Sequence, residues 1–215
     1  MCLLSNIKIV IWDWNGTLLN DLDISISSMN QLLESRGLAP LTEQRYKQIF
    51  TFPVQKYYEL AGFDFSREPF ETPAMEYMDI FFKKLPQVGL FYKTTDVLNR
   101  IKQLNIKQII LSAMEQKALV ESVNALGIGQ MFENIYGCGD HYAKGKAEQG
   151  IELMSQLGVN SNQVLLIGDT LHDYEVAKHM GCKCLLMSHG HQNAERLSQS
   201  HCPIIASFEQ LVNLI

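Results

Sequence analysis

Short runs of aliphatic and β-branched residues recur along the chain, most of them followed by a polar or glycine-containing turn. Ile7-Lys8-Ile9-Val10-Ile11-Trp12, Lys107-Gln108-Ile109-Ile110-Leu111-Ser112, Ile135-Tyr136-Gly137-Cys138, Val164-Leu165-Leu166-Ile167, Lys183 to Met187 and Ile204-Ile205 show little polar alternation. That is the pattern of strands covered on both faces. Between them the apolar positions move to helical spacing, over Thr94 to Gln103, Lys117 to Leu126, Lys146 to Leu157, Asp173 to Met180 and Phe208 to Leu214. Gly127, Gly158 and Gly181 supply stops for three of these helices. Strands alternating with helices of this length predict an α/β fold, a Rossmann-like parallel sheet covered by helices on both faces.

Residues 20–88 break the alternation. Leu22, Ile24, Ile26, Met29, Leu32 and Leu33 lie near helical spacing between Asp21 and Arg36, and Gly37 ends the run. Thr42 is a capping residue for the next helix, Pro53, Pro69, Pro73 and Pro86 punctuate the rest, and no strand pattern occurs. The expected organisation is a core of residues 1–19 and 89–215 with a small all-helical cap, residues 20–88, inserted after the first strand. Met75, Met78 and Met154 sit at helical spacings and are expected in the core.

Composition narrows the class. The chain has 215 residues, 47% hydrophobic and 19% charged, which excludes a disordered or fibrous protein. Against 23 Asp and Glu stand 18 Lys and Arg, and no basic cluster exceeds Lys83-Lys84, so a nucleic-acid partner is not expected. No apolar stretch is long enough to span a membrane, and Met1 to Lys8 lacks the pattern of a signal peptide. The cysteines, Cys2, Cys138, Cys182, Cys184 and Cys202, are odd in number and scattered, which reads as reduced thiols and a cytoplasmic location.

Ligands of such sheets bind outside the carboxyl ends of the strands. Asp13, Ser112 and Asp169 each fall at or just after a strand end, so the fold brings them to one rim. Asp169 and Asp173 are four apart, which turns both carboxylates to one side where a helix begins. Three carboxylates in one cleft repel one another unless a hard, oxygen-preferring ion such as Mg²⁺ lies among them. His189-Gly190-His191 is expected to be an exposed loop after its strand.

Four segments carry a family resemblance: Asp13-Trp14-Asn15-Gly16-Thr17-Leu18, Ser112 after its apolar strand, Lys144-Gly145-Lys146 at a helix head, and Gly168-Asp169-Thr170-Leu171-His172-Asp173. In kind and order they resemble the motifs of the haloacid dehalogenase-like hydrolases, above all the phosphatase-like members such as the phosphoglycolate phosphatases. The resemblance implies a Mg²⁺-dependent hydrolase that removes phosphate from a small phosphorylated metabolite through an aspartyl-phosphate on Asp13. It implies metal ligands from Asp13, Asp169 and the backbone carbonyl of Asn15, with Asp173 at or just outside the coordination sphere. Ser112, backbone N–H groups of Ala113 and Trp14, and a lysine, Lys144 or Lys146, would hold the phosphoryl oxygens. His172 is expected at the surface, because Mg²⁺ prefers oxygen. Asn20, Asp21, Phe52, Tyr57 and Tyr58 are candidates for substrate contact from the cap, and the protein is expected to be a monomer or a homodimer.

One position departs from the family. Asn15 stands where the phosphatases carry the aspartate that protonates the leaving oxygen and activates water, and a carboxamide transfers no proton. Three consequences stay open: hydrolysis confined to substrates whose leaving group needs little protonation, replacement by another group or water, or a non-catalytic protein that binds a phosphate ligand. A phosphonatase-like C–P hydrolase is a further alternative; it would need a Schiff-base lysine from the cap, for which Lys47, Lys56, Lys83 and Lys84 are available. A metal-free dehalogenase is disfavoured by the acidic motif from Gly168 to Asp173.

Overall fold

The computed structural model describes residues 4–139 and 145–215. Its strands are β1 (Ile9–Trp12), β2 (Lys107–Glu115), β3 (Asn134–Cys138), β4 (Val164–Gly168), β5 (Lys183–Met187) and β6 (Ile204–Ile205). They form one sheet in the order β3-β2-β1-β4-β5-β6, and every neighbouring pair is parallel. The helices are α1 (Leu22–Ser35), α2 (Glu43–Ile49), α3 (Val54–Ala61), α4 (Glu71–Lys84), α5 (Thr94–Gln103), α6 (Gln116–Ala125), α7 (Lys146–Gln156), α8 (Leu171–Met180), α9 (Ala194–Leu197) and α10 (Phe208–Val212).

The unbroken apolar runs have the expected physical meaning. Val10, Trp12, Ile110, Leu165 and Ile167 pack with Val97, Leu98 and Ile101 of α5, Leu119 and Val123 of α6, and Phe208 and Leu211 of α10. The alternate positions Ile9, Ile11, Ile109, Leu111, Val164 and Leu166 pack with Leu153 of α7 and Val176, Ala177 and Met180 of α8. Successive side chains of a strand point to opposite faces, so both faces must be apolar when helices cover both.

Between β1 and α5 the regular elements are helical, α1 to α4 with a short 3₁₀ turn after α4. This insertion has its own apolar centre of Met29, Leu32, Leu33, Tyr46, Ile49, Tyr57 and Tyr58. Phe81 and Tyr77 of α4 join that centre to the sheet's helical layer. Met75, expected in the core, is 70% exposed; α4 turns Tyr77 and Phe81 inward, which leaves Met75 on its outer face.

Two elements run past their expected limits. β2 continues beyond Ser112 to Glu115, with a register shift between Leu111 and Glu115, so Ser112 lies inside an irregular stretch of strand. α8 begins at Leu171 instead of Asp173, because Thr170 caps it and exchanges hydrogen bonds with Asp173 in a capping box.

A buried polar bridge crosses the layer beside β1. The Trp12 indole N–H donates to Gln108 Oε1 at 3.1 Å, and Gln108 Nε2 donates to the Leu98 carbonyl at 3.0 Å. Gln108→Leu keeps the volume but leaves the buried Trp12 N–H unpaired, at a cost of about 1–3 kcal/mol. Urea titration of the variant is expected to show a lower midpoint with an unchanged slope.

Candidate active site

The strand order places β1 between β2 and β4, at the point where the sheet's winding reverses, which is where open α/β sheets carry their ligands. Asp13 leaves the end of β1, Ser112 lies in β2, and Asp169 follows β4. These residues line one cavity, together with Asn15, Ala113, Lys146, Asp173, His172, His191, Phe50 and Phe52. Its volume is about 70 Å³. This is far below the roughly 300–1,000 Å³ of sites that enclose drug-sized ligands, and leaves room for a phosphoryl-sized group.

Local structure explains how each side chain arrives. Gly16 turns the chain after β1 with φ +71°, and a Cβ there would strike the Asp169 carboxylate. The Thr17 hydroxyl thus reaches Asp169 Oδ1 at 3.0 Å and Asp13 Oδ2 at 3.3 Å. On the other side Gly190 packs against Asp169 and the Gly16 carbonyl so closely that no side chain fits. The His191 backbone N–H then donates to Asp169 Oδ2 at 2.6 Å.

Asp173 does two jobs. Its Oδ2 accepts from the Thr170 and Asp169 backbone N–H groups and the Thr170 hydroxyl, capping α8, while Oδ1 accepts from Lys146 Nζ at 2.5 Å. Lys146, the first residue of α7, also donates to Asp13 Oδ1. One buried ammonium therefore bridges two carboxylates. Lys144 lies outside the described residues. Ser112 lines the cavity, and its Oγ accepts from the Met114 N–H at 3.1 Å, which leaves the hydroxyl proton free to donate.

The Asn15 carboxamide is fixed by Asp21. Asn15 Nδ2 donates to Asp21 Oδ2 at 2.9 Å, the Gly16 N–H donates to Oδ1 at 2.7 Å, and the Ser25 hydroxyl donates to Oδ2 at 3.3 Å. His191 Nε2 stands 3.4 Å from Asp21 Oδ1, and its Nδ1 pairs with the Tyr46 hydroxyl at 3.0 Å. Asp21, a candidate for substrate contact, is thus a buried organiser beneath the motif.

Electrostatics follow from four carboxylates buried in one rim. Burial pushes Asp13 up to about 6 and Asp169 up to about 8, against the pull of Lys146 and His191 respectively. For Asp173 and Asp21 burial acts the same way, but Lys146 and His191 outweigh it and hold both below the ordinary carboxylate value. Burial opposes the charge of His191, yet Asp21 and then Asp169 lift it to about 9. His172 is lowered by burial. Oxygen atoms of Asp13, Asp169 and Asp173 lie within 4.8 Å of one another. An all-carboxylate set of this spacing suits a hard divalent ion.

Other expected residues fall elsewhere. The Trp14 side chain is in the core, its carbonyl accepts from the Leu18 and Leu19 N–H groups, and its own N–H bonds to the Asp13 carboxylate. Tyr57 and Tyr58 are buried in the helical insertion, and Asn20 is exposed. The insertion reaches the cavity through Phe50 and Phe52. Lys47, Lys56, Lys83 and Lys84 are absent from the residues that line it.

The expectation of an exposed His189-Gly190-His191 loop is overturned. His191 is buried against Asp21, Asp169 and Tyr46, while His189 stacks on Phe91 at 3.9 Å and pairs with the Thr17 carbonyl at 3.1 Å. His172 is half-buried in the cavity wall, its ring stacked on Phe52 at 4.5 Å. The signal for the first loop was available, since it follows β5 at the same carboxyl rim as Asp13 and Asp169.

A family model described as haloacid dehalogenase-like hydrolase matches residues 10–187. Among curated proteins the chain is 24% identical over 202 residues to a phosphoglycolate phosphatase of Chromobacterium violaceum, covering 90% of each chain. It is 23% identical over 193 residues to an N-acetylmuramic acid 6-phosphate phosphatase of Pseudomonas aeruginosa, covering 88% of this chain and 85% of the other. A haloacid dehalogenase-like family protein from Streptococcus pneumoniae superposes with a TM-score of 0.82 at 19% identity, covering 98% of this chain and 100% of that one.

Asp13, Asp169 and His191 all hold protons in the folded chain more tightly than their ordinary values of 3.8 and 6.5. The folded state therefore binds more protons than the unfolded state between about pH 4 and pH 9, and stability falls as pH rises through that window. The melting temperature of metal-free protein is expected to decline from about pH 5 to about pH 9. Mg²⁺ should raise it most at the alkaline end, and Asp169→Asn should weaken both effects, leaving the part of the decline that Asp13 and His191 carry.

Proposed function

Since the chain belongs to the haloacid dehalogenase-like hydrolases, as a phosphatase-like member, we propose that it is a Mg²⁺-dependent phosphatase acting on a small phosphorylated metabolite through Asp13. The observation that carries this reading is the Lys146 bridge between Asp13 and Asp173 beside Asp169. A buried carboxylate attacks phosphorus only where the charge of the phosphoryl group is neutralised and its oxygens are held.

Asp13 and Asp169 would hold the metal with the Asn15 carbonyl, and Asp173 would act at its edge, since its oxygens already serve Lys146 and the start of α8. Mg²⁺, when bound, supplies positive charge to the phosphoryl oxygens. With all four carboxylates ionised, as metal binding requires, Asp13, Asp21, Asp169 and Asp173 face two cations, Lys146 and His191, and the two negative charges left over fit one divalent ion. Lys146 steadies Asp13 for in-line attack, and Ser112 donates its hydroxyl to a phosphoryl oxygen. Attack forms the Asp13–phosphorus bond and releases the leaving group; water then cleaves that bond and frees phosphate. Residues 20–88 form the lid over this site, with Phe50 and Phe52 against the substrate. The absence of an insertion lysine from the cavity lining favours ester hydrolysis over C–P cleavage.

Among the described residues no helix is long and apolar enough to cross a membrane.

Phosphate release from p-nitrophenyl phosphate is expected with Mg²⁺ and not with EDTA. Asp13→Asn should abolish it, and Lys146→Ala or Ser112→Ala should lower kcat about a hundredfold. A folded protein that binds Mg²⁺ and phosphate but releases no product would establish the non-catalytic binding reading instead.

A further inference from the structure

Two independent features of the cavity bear on the leaving group, the part of the substrate that departs from phosphorus. The first is proton supply. Asn15 lines the cavity beside Asp13, and its Nδ2 is committed to Asp21. A carboxamide can donate a hydrogen bond to a departing oxygen but cannot surrender the proton. Asp21 cannot serve in its place. It is 1% exposed, accepts hydrogen bonds from Gly16, Asn15 and Ser25, and lies against His191. Asp13, Asp173 and Lys146 are bound to one another, and Asp169 is held by Thr17 and His191.

The second is the wall. Phe50 and Phe52, in the segment between α2 and α3, pack edge-to-face at 5.7 Å, and His172 stacks on Phe52. This wall is pinned to the core. The Phe50 carbonyl accepts from Gln192 Nε2 at 2.9 Å and from an Arg196 guanidinium N–H at 2.5 Å, and Gln192 Oε1 accepts from the Leu171 N–H at 2.8 Å. Among the described residues the wall is aromatic, with His172 beside it, and carries no cation from the insertion.

We propose that the site is specific for aryl phosphate monoesters, whose leaving group departs as a phenolate without protonation and rests at the mouth of the phosphoryl-sized cavity, against the edges of Phe50 and Phe52. This rests on the phosphatase reading. In the first step an Asp13 oxygen bonds to phosphorus, the phosphorus–aryl oxygen bond breaks, and its electron pair stays on the phenolate, which takes its proton from solvent. In the second, water oxygen bonds to phosphorus, the phosphorus–Asp13 oxygen bond breaks to regenerate the carboxylate, and of the two water protons one leaves on the released phosphate and the other passes to solvent. An alkyl alcohol is a far weaker acid than a phenol, so its ester is disfavoured at the first step.

The test measures kcat/KM for a series of substituted phenyl phosphates and for two alkyl phosphates, phosphoglycolate and glycerol phosphate, with the Mg²⁺-loaded protein. Expected is a steep decline with rising leaving-group pKa, and phenyl phosphate favoured over both alkyl esters by about a hundredfold or more. Asn15→Asp should flatten the decline. Phe52→Ala should raise KM for phenyl phosphates severalfold more than for alkyl esters, which a general loss of folding would not do. His172→Phe keeps the stacked ring and should keep the steep decline. A shallow decline in the unaltered protein that steepens in His172→Phe would make His172 the proton donor and overturn the proposal. So would alkyl esters turned over as well as phenyl phosphate. If neither the protein nor Asn15→Asp releases phosphate from any ester, the phosphatase reading itself fails, and the specificity falls with it.

Discussion

Four carboxylates buried along one sheet rim set the terms for everything around them. Isolated, each would be driven to protonate or to unfold the loop that carries it. Asp13 and Asp173 share the ammonium of Lys146, while Asp21 lies against His191, whose backbone N–H holds Asp169. The constraint accounts for features that otherwise look unrelated. Lysine at the first position of α7 runs against the helix dipole, and it is tolerated because its charge is used across the rim. Glycine at 16 and 190 lets two loops close on Asp169 from both sides.

The rim also ties the helical insertion to the sheet. Tyr46 of α2 reaches His191, and Gln192 and Arg196 reach the Phe50 carbonyl. The loop after β5 therefore organises both the charges below the cavity and the aromatic wall above it. A change to that loop perturbs Asp169 and Phe50 together, although the two lie on different layers of the molecule.

Much of this was legible in the sequence, for a stated reason. Apolar runs without alternation require cover on two faces, and strand ends require polar termini, so the parallel sheet and the placement of Asp13, Ser112 and Asp169 follow from local pattern. What local pattern could not reach is pairing across long separations. Nothing around Lys146 says that it bridges Asp13 and Asp173, and nothing around Asn15 says that Asp21 holds its amide. Phe50 reads as one more apolar residue of the insertion until Gln192 and Arg196 are seen on its carbonyl. His189-Gly190-His191 reads as a solvated turn because two histidines flank a glycine, while burial here depends on partners from three other elements. Met75 shows the converse: helical spacing marks a residue's phase but does not say which face is covered.

The position of β1 has a consequence for the order in which the molecule assembles. Ile9 pairs with Lys107 on one side and Val164 on the other, so β1 lies between two strands that follow it far along the chain and has neither neighbour when it emerges. Contacts of such sequence separation form slowly, and an unpaired apolar strand is exposed while they are pending. Through that interval the helices of residues 22–84 can gather around Met29, Leu32 and Tyr46 on local contacts alone. The insertion's apolar centre thus needs none of the sheet pairings that β1 must wait for.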